Sequence, residues 1–361
     1  MWVRRTRHLA LAAGEEALSL TALSLLTGVA VRLSPEGRER LLALPVRAWT
    51  WTTDDADVAL ARDGLLVSDE PSEPFVALRA RDRELSELGW HPGAAAFHLA
   101  TRWRRTRTRV PAADGSYPPR PPRPRPALPP FHERGGERIA LPAATRDGDL
   151  YGLLHARRTA RSFDATSPVT VDELATLLLH VWGTHGTTRL ASGDTALAKT
   201  SPSGGGLHPI EVYPLVRRVE GLEPGLYHYL TRDHALERVA PLDADAVERL
   251  VDTATAGQWY FAAADVTFVL AARFGRSFWK YRRHAKAYRT LLLDAGHLSQ
   301  TFYLVCTELG LGPFVTAALN DDELERALGL DPLLEAPLAL CGCGRLPAEQ
   351  SRLDPSFVAL S

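Results

Sequence analysis

The stretch from Trp279 to Gly312 constrains the fold most, because its pattern predicts one long helix that is buried along one side. Apolar residues recur there at steps of three and four positions, the spacing of a single helix face: Tyr288, Leu291, Ala295, Leu298, Phe302, Val305 and Leu309. Such a helix must lie against a broad apolar surface, so we expect the chain to build a core around it. Lys280 and Tyr281 would open the helix and bring two groups that can exchange protons.

A change of composition divides the chain. Its 361 residues exceed what one compact core usually needs. Between Arg109 and about Pro130, proline and arginine dominate and periodic apolar residues are scarce, which is typical of a semi-extended linker. The sequence therefore predicts an N-terminal domain over residues 1–108, a Pro/Arg-rich linker over 109–144 and a second domain over 145–361.

Charge and cysteine content exclude several classes of protein. The 42 Lys and Arg residues balance the 43 Asp and Glu residues, which disfavours a nucleic-acid binder that gains affinity by neutralising phosphates. Three cysteines, two of them in the pair Cys341 and Cys343, are too few for a disulfide framework or a structural zinc site. We therefore expect a cytoplasmic protein without a bound metal. The apolar segment from Ala17 to Leu33 is short for a bilayer span and predicts a buried helix.

The N-terminal domain has the element order of a small winged-helix module. A strand-like start is followed by helical patterns around Ala13–Leu26 and Pro35–Leu44. Residues 54–71 then predict a helix that ends at a glycine turn before a short strand. Two roles stay open for this module, a structural cap on the second domain and the binding of a peptide. Binding of DNA is disfavoured because no recognition helix stands out by charge.

The second domain predicts an α+β fold. Thr170 and Glu173 have the spacing of a capping box, which predicts a helix over residues 171–182 that ends at Gly183. Four segments predict strands, the first two as a hairpin: 210–219, 225–230, 266–272 and 337–341. Strict alternation of strands and helices is missing, which favours α+β over α/β.

Two segments have the chemistry of a phosphate-ester site. Arg157, Thr159 and Arg161 alternate, so on an extended segment two guanidinium groups and a hydroxyl share one face and can converge on a dianion. The glycines of Ser201–Gly206 allow positive φ and let backbone N–H groups approach a flat ring or a phosphate. This loop is neither a Walker loop nor a GxGxxG fingerprint. A solvated basic turn and a flexible surface loop are the alternatives.

The order of the blocks resembles the SagB-type dehydrogenases of the nitroreductase superfamily. The blocks are RRTARSFD, SPSGGGLHPIEVYPLVRRVEGLEPGLYHY, WKY, YRTLLLDAGHLSQTFYL and ELGLGPF, within roughly residues 145–346. The resemblance implies a nitroreductase-like α+β fold with a mixed antiparallel sheet and a long core helix, FMN as cofactor, and a homodimer. It also implies oxidation of azoline rings to azoles in a ribosomally made precursor peptide, beside a cyclodehydratase partner.

The resemblance assigns roles by position. Arg157, Thr159 and Arg161 match the pattern that contacts the flavin phosphate and ribityl chain, with threonine in the usual serine position. The loop beneath the flavin corresponds to Pro202, Ser203, Gly204, Gly205 and Gly206, where many nitroreductases have asparagine in place of Gly206. Gly344 and Arg345 fall in a C-terminal block near the cofactor, and Arg345 is a candidate phosphate ligand.

Lys280 and Tyr281 match the catalytic pair of the family. Oxidation of an azoline needs a base for the α-proton and an acceptor for the β-hydride. Lysine is almost wholly protonated at neutral pH, so a lysine base needs desolvation or neighbouring cations. Which of the two residues is the base stays open. His297, on the same predicted helix, is typical of a buried histidine bonded between helices rather than of a catalytic group.

Two other functions stay open. One is an NAD(P)H-dependent flavin reductase of small electrophiles or dehydroamino acids, for which the Lys-Tyr pair would be incidental. The other is a subunit without catalytic activity that docks the peptide for a cyclodehydratase. The substrate peptide, the type of ring and the direction of hydride transfer leave no trace in the sequence.

Overall fold

The computed structural model describes residues 1–13, 20–108, 139, 141–142, 147–191 and 193–347. Apart from residues 139, 141 and 142, the predicted linker lies outside the described residues. Within those ranges no helix is both long and apolar enough to cross a bilayer.

Two small antiparallel sheets and four helices form the described part of the N-terminal module, residues 1–108. The strands are β1 Trp2–Arg5, β2 Leu9–Ala13, β3 Leu20–Ser24, β4 Ala30–Leu33, β5 Thr50–Trp51 and β6 Leu66–Ser68. The helices are α1 Pro35–Ala43, α2 Asp55–Arg62, α3 Phe75–Leu88 and α4 Pro92–Thr101. The strand orders are β5-β1-β6 and β2-β3-β4.

The predicted helix around Ala13–Leu26 is wrong, as is the buried helix between Ala17 and Leu33. The described part of this region forms β3 and β4, and β3 is the central strand between β2 and β4. Ala22 and Ser24 are buried at alternate positions, so the chain follows a strand period. A short apolar run fits either period, and pairing on both edges of β3 decides for the strand.

Other predictions for this module are confirmed. Helix α1 begins after Ser34, whose hydroxyl accepts a hydrogen bond from the Gly37 N–H. Helix α2 is followed by the Gly64 turn and by β6, as residues 54–71 predicted. The winged-helix assignment itself stays a prediction.

A six-stranded antiparallel sheet organises the second domain. Its helices are α5 Asp149–Ala156, α6 Val171–Trp182, α7 Ala244–Ala254, α8 Phe274–Phe278, α9 Lys286–Glu308 and α10 Asp321–Leu328. Its strands are β7 Val169–Thr170, β8 Gly186–Arg189, β9 Thr195–Ala198, β10 Ile210–Val216, β11 Val219–Glu220, β12 Gly225–Leu230, β13 Ala235–Pro241, β14 Val266–Arg273, β15 Leu311–Thr316 and β16 Glu335–Arg345. The main sheet has the order β13-β12-β10-β14-β16-β15, which confirms the α+β class.

Helices cover both faces of this sheet. Helices α6 and α9 lie in one apolar cluster with alternate residues of β10, β14 and β16. Helices α7 and α10 lie in a second cluster with the intervening residues of the same strands. The predicted capping box at the start of α6 is confirmed, with bonds in both directions between Thr170 and Glu173. The buried stripe of α9 is confirmed at Tyr288, Leu291, Ala295, Leu298 and Phe302.

The long helix begins later than predicted. It starts at Lys286, and residues 279–285 form a turn after the short helix α8. Arg283 in this turn has a φ of 55°, a left-handed conformation that breaks the helical path. Lys280 and Tyr281 therefore lie on a turn rather than in the first turn of a long helix.

The N-terminal module docks through α3 and α4. The Trp90 indole N–H donates to the Leu333 carbonyl over 2.8 Å. The His98 ring bonds the Tyr288 hydroxyl over 3.0 Å and the Pro332 carbonyl over 2.8 Å, and burial lowers the pKa of His98 to about 4. Because these groups are buried, the interface belongs to the same core as α9.

Candidate active site

A buried carboxylate fixes the glycine loop, residues 201–206. Asp294 on α9 is only 4% exposed, and its two oxygens accept from the Ser203 hydroxyl over 2.6 Å and the Gly204 N–H over 3.2 Å. The Ser203 hydroxyl oxygen in turn accepts from the His208 N–H over 2.9 Å. Burial raises the pKa of Asp294, and these hydrogen bonds oppose that rise. The loop is thus tied to the core helix by a short network.

The same face of α9 holds the rest of the loop. The Thr301 and Ser201 hydroxyls bond each other over 2.7 Å, and His297 Nδ1 lies 3.1 Å from the Pro202 carbonyl. His297 is exposed, so the expectation of a buried histidine between helices is wrong. Thr290, Asp294, His297 and Thr301 follow each other at helical spacing. That polar stripe was the sequence signal that could have revealed the support of the loop.

Gly205 brings the glycine loop and the Lys-Tyr pair together. Its φ is 70°, and a Cβ built there would lie 2.6 Å from Lys280 Nζ and 2.9 Å from Tyr281 Oη. The left-handed backbone favours glycine here, and a larger residue would also displace the ends of the Lys280 and Tyr281 side chains. Lys280 Nζ lies 5.7 Å from the centre of the Tyr281 ring. The structure therefore assembles two sequence-predicted groups that are 74 or more positions apart in the chain.

Gly206 also has a left-handed backbone, with φ 68°. Asparagine tolerates this conformation better than most residues, so glycine preserves the backbone where the family pattern often has asparagine. A Cβ on Gly206 would lie 3.0 Å from the Ala196 Cβ on β9. In this chain β9 therefore limits the room for a side chain at that position.

The predicted phosphate segment is extended and lies against the ends of β15 and β16. The Ala160 N–H donates to the Pro313 carbonyl, and the Asp164 N–H donates to the Arg345 carbonyl, each over 2.8 Å. Ala160 is buried, whereas Arg161 is exposed. Arg157 and Thr159 are half-buried, so none of the three predicted residues lies in the core, and their convergence on one phosphate stays a prediction.

Tyr303 on α9 belongs to this end of the site and was missed by the sequence reading. Its hydroxyl lies 2.8 Å from Thr159 Oγ1, and the Arg157 Cζ lies 5.1 Å from its ring centre. No hydrogen bond or ion pair joins the guanidinium of Arg157 or Arg161 to another described residue. Arg157 lies beside two hydroxyls, and Arg161 follows four residues later in the same segment, so the segment offers the groups that a phosphate dianion needs.

The C-terminal candidates have structural partners. A Cβ on Gly344 would lie 2.9 Å from the Phe163 ring, so glycine lets the phosphate segment pack on β16. The Arg345 guanidinium donates to both carboxylate oxygens of Glu173, over 2.9 and 2.8 Å. The Glu173 carboxylate thus already neutralises Arg345, which gives no support to its predicted role as a phosphate ligand.

A small pocket lies beside the glycine loop and contains another titratable group that the sequence reading missed. Lys199, Ser203, His208 and Asp294 contribute to its lining. Burial lowers the pKa of Lys199 to about 8 and that of His208 to about 4. Burial in this pocket therefore favours the neutral forms of Lys199 and His208.

With this site geometry, the chain belongs to the nitroreductase family, whose sequence model matches residues 154–345. The predicted nitroreductase MJ1384 of Methanocaldococcus jannaschii is 32% identical over 54% of this chain and 90% of its own length. The microcin B17-processing protein McbC of Escherichia coli is 33% identical over 38% of this chain and 50% of its own. The trifolitoxin-processing protein TfxB of Rhizobium leguminosarum is 29% identical over 47% and 46%.

The likeness to McbC and TfxB thus spans about half of each relative. Among solved structures, a chain of the E. coli microcin synthetase McbBCD complex with truncated pro-MccB17 bound matches 73% of this chain and 97% of its own. The TM-score is 0.52 at 20% identity, which shows a shared fold. The nitroreductase-like fold and oxidoreductase class are confirmed.

Proposed function

We propose that this protein is an FMN-dependent dehydrogenase that oxidises azoline rings to azoles in a ribosomally made precursor peptide. The observation that carries the proposal is the meeting of Lys280 Nζ and Tyr281 Oη at Gly205 of the glycine loop. The names of TfxB and McbC, as proteins that process trifolitoxin and microcin B17, support a role in the processing of such a product.

The residues present fit FMN. The guanidinium groups of Arg157 and Arg161 have no hydrogen-bond or ion-pair partner in the part of the chain that the structure describes. With the Thr159 hydroxyl, they offer charge-assisted hydrogen bonds to a phosphate. The loop of Pro202, Ser203, Gly204, Gly205 and Gly206 offers a backbone surface that a flat ring can approach closely. When bound, FMN supplies the acceptor for a hydride.

The Lys-Tyr pair performs the proton transfer. Conversion of an azoline to an azole removes one proton from the α-carbon and one hydride from the β-carbon, and a ring double bond forms. Lys280 and Tyr281 accept and hold the proton, and a neutral amine or a phenolate is the form competent to do so. Lys280 is exposed at the loop, so its amine is accessible to a peptide substrate.

Exposed apolar side chains on two helices support a homodimer. Five large hydrophobic side chains are exposed on α5 and α9: Leu150, Tyr151, Leu154, Leu292 and Leu293. We propose that this face pairs with a second copy. We further propose a cytoplasmic protein in which the module of residues 1–108 is followed by a linker over 109–144 and by the FMN domain over 145–361. It would work beside a cyclodehydratase, with the precursor peptide as substrate.

The visible spectrum of the purified protein is the first test. We expect a flavin spectrum for wild type that is lost in the Arg157→Ala, Arg161→Ala double variant. Incubation of the wild type with an azoline peptide is expected to yield a product lighter by two hydrogen atoms. A colourless wild type that refuses added FMN contradicts the proposal. Rapid NAD(P)H oxidation without any change to the azoline peptide supports the flavin-reductase alternative instead.

A further inference from the structure

The turn that bears the Lys-Tyr pair is hydrogen-bonded to the N-terminal module. The Arg282 guanidinium donates to the backbone carbonyls of Glu87 over 2.5 Å and Ser86 over 2.8 Å. Both carbonyls belong to the last turn of α3 in the N-terminal module. Arg282 directly follows Tyr281, so these two hydrogen bonds are made by the neighbour of a residue that lies against the glycine loop.

The end of α3 is suited to hold a cation. The last carbonyls of a helix have no partner within the helix and carry the negative end of its dipole. Gly89 ends α3 in the left-handed conformation, with φ 88°, and a Cβ there would lie 2.8 Å from Arg282 Cγ. Glycine thus serves both the helix end and the close approach of the arginine.

A backbone bond adds to this contact. The Arg283 N–H donates to the Gly89 carbonyl over 2.8 Å, and Arg283 has the left-handed φ of 55° that breaks the helical path within the turn. The conformation that separates α8 from α9 is therefore bonded to the N-terminal module. A change at the end of α3 would be transmitted directly to the turn.

Helix α8, which precedes the turn, is held by the same part of the module. The ring centre of Trp90 lies 4.7 Å from that of Phe274 and 4.6 Å from that of Phe278. A Cβ on Gly275 would lie 2.9 Å from Leu88 Cδ1. The module therefore contacts the chain immediately before and immediately after Lys280 and Tyr281.

We propose that Arg282 is a positioning residue, through which the end of α3 places Lys280 and Tyr281 against Gly205. This inference rests on the proposed function for its kinetic consequence, but its structural consequence is independent of the reaction. It gives the N-terminal module a role in catalysis: the second domain receives the geometry of its proton-transferring pair from the module.

The test compares Arg282→Ala, Arg282→Lys and Arg217→Ala in full-length, FMN-loaded protein. We expect Arg282→Ala to lower kcat for an azoline peptide by about tenfold or more, because small displacements of reacting groups have large kinetic effects. KM and retention of FMN should stay within about twofold of wild type. Arg282→Lys should recover part of kcat, since an ammonium can donate to the same carbonyls.

Arg217 is the matched control for a merely structural arginine. Its guanidinium likewise donates to two backbone carbonyls, those of Ala263 over 2.5 Å and Ala264 over 2.9 Å, but the bonded residues precede β14 and are not part of the turn. Arg217→Ala should keep the wild-type kcat at temperatures where the protein is folded. Equal losses of kcat in the two alanine variants would overturn the inference.

A second readout does not need the proposed reaction. The chain has only three lysines, Lys199, Lys280 and Lys286, so acylation of each can be followed by mass spectrometry of peptides. We expect Arg282→Ala to raise the acylation rate of Lys280 several-fold relative to Lys199, because the amine leaves its contact with Gly205.

The two readouts separate the possible failures. If wild type leaves azolines unchanged and Arg282→Ala still raises Lys280 acylation, the proposed function fails and the positioning role stands. If wild type is active and Arg282→Ala changes neither kcat nor acylation, the positioning role is overturned. If Arg282→Ala raises acylation but leaves kcat unchanged, the arginine positions the amine without consequence for the reaction, and the catalytic part of the inference is overturned.

Discussion

The candidate site has two ends that differ in how their polar groups are bonded. The ring end consists of the glycine loop, residues 201–206, and the turn with Lys280 and Tyr281, and the phosphate end consists of Arg157, Thr159 and Arg161. At the ring end, the polar groups of the glycine loop are bonded to α9, and the Lys-Tyr turn is bonded to α3. At the phosphate end, the guanidinium groups of Arg157 and Arg161 have no polar partner among the described residues. The glycine loop and the Lys-Tyr turn are therefore preorganised and need no ligand to keep their shape. The charges of Arg157 and Arg161, by contrast, would be neutralised by a bound anion.

Replacement of Lys280 should have the largest effect and tests whether the ring end performs the chemistry. We expect Lys280→Ala to lower turnover of an azoline peptide by about 10²- to 10⁴-fold, the usual contribution of a general base. The flavin spectrum should be unchanged. Lys286→Ala is the matched control, because this lysine is exposed at the start of α9. Turnover within twofold of wild type would remove Lys280 from the mechanism.

Loss of the phosphate arginines tests whether the other end only binds. Each charge-assisted hydrogen bond contributes about 1.5–3 kcal/mol. Arg157→Ala with Arg161→Ala should therefore raise the Kd for FMN by about 150-fold or more. The measurement is a fluorescence titration of apoprotein with FMN.

Arg158→Ala is the control for this pair of substitutions. Its Nε donates to the Ala156 carbonyl over 3.0 Å, and it lies in the same segment with the same charge. We expect a change in Kd of less than about threefold. If Arg158→Ala weakened FMN binding as much per arginine removed as the double substitution does, the effect would be diffuse electrostatics in place of a defined phosphate site.

Asp294→Asn tests whether the loop is held from below. An amide nitrogen cannot accept from the Ser203 hydroxyl or the Gly204 N–H, so one of these half-buried donors loses its partner. We expect a loss of about 1–3 kcal/mol in the free energy of unfolding, measured with urea. Thr301→Val, which removes a neutral hydrogen bond to Ser201 from the same stripe, should cost less. Reversal of that order would contradict the assigned importance of Asp294.

Replacement of Lys199 tests how much the burial of its charge beside the glycine loop lowers the free energy of unfolding. Its pKa is lowered by burial from 10.5 to about 8, so the unfolded chain binds more protons between these values. Stability should therefore rise with pH across this window. Lys199→Met should raise the free energy of unfolding at pH 7 by up to about 3 kcal/mol, and the gain should disappear as the pH approaches about 10.5.

The control for Lys199 is Lys286→Met, because the second lysine is exposed. Its free energy of unfolding should follow that of wild type at every pH. A Lys199→Met variant whose advantage over wild type does not depend on pH would show that packing, and not charge, explains the gain.

Local signals in the sequence predicted much of the second domain. The capping box of α6, the apolar stripe of α9 and the strands around the hairpin are short-range patterns, and the structure confirms them. The apolar segment around β3 was predicted as a helix because its composition fits both periods. Its pairing with β2 and β4 decides the outcome, and no local pattern reports such pairing.

In the candidate site, too, some residues could be selected from the sequence and others only from the structure. Glycines and charged residues at Arg157, Arg161, Gly205 and Lys280 could be selected from the sequence by their chemistry and by resemblance. Tyr303 could not, because it acquires its role only when α9 lies beside the phosphate segment. Asp294 belongs to a polar stripe that is visible in the sequence, but its bond to the glycine loop forms only in the folded chain.

The sequence by itself determined the family, the long core helix and the residue types that can hold a phosphate and move a proton. Those properties depend on side-chain chemistry and on contacts between near neighbours in the chain. Only the tertiary structure decided that Lys280 and Tyr281 lie on a turn beside Gly205. It also decided that the end of α3 accepts hydrogen bonds from Arg282 in this turn. These contacts join segments that are 75 or more residues apart. Packing of whole elements brings such segments together, and local sequence does not specify it.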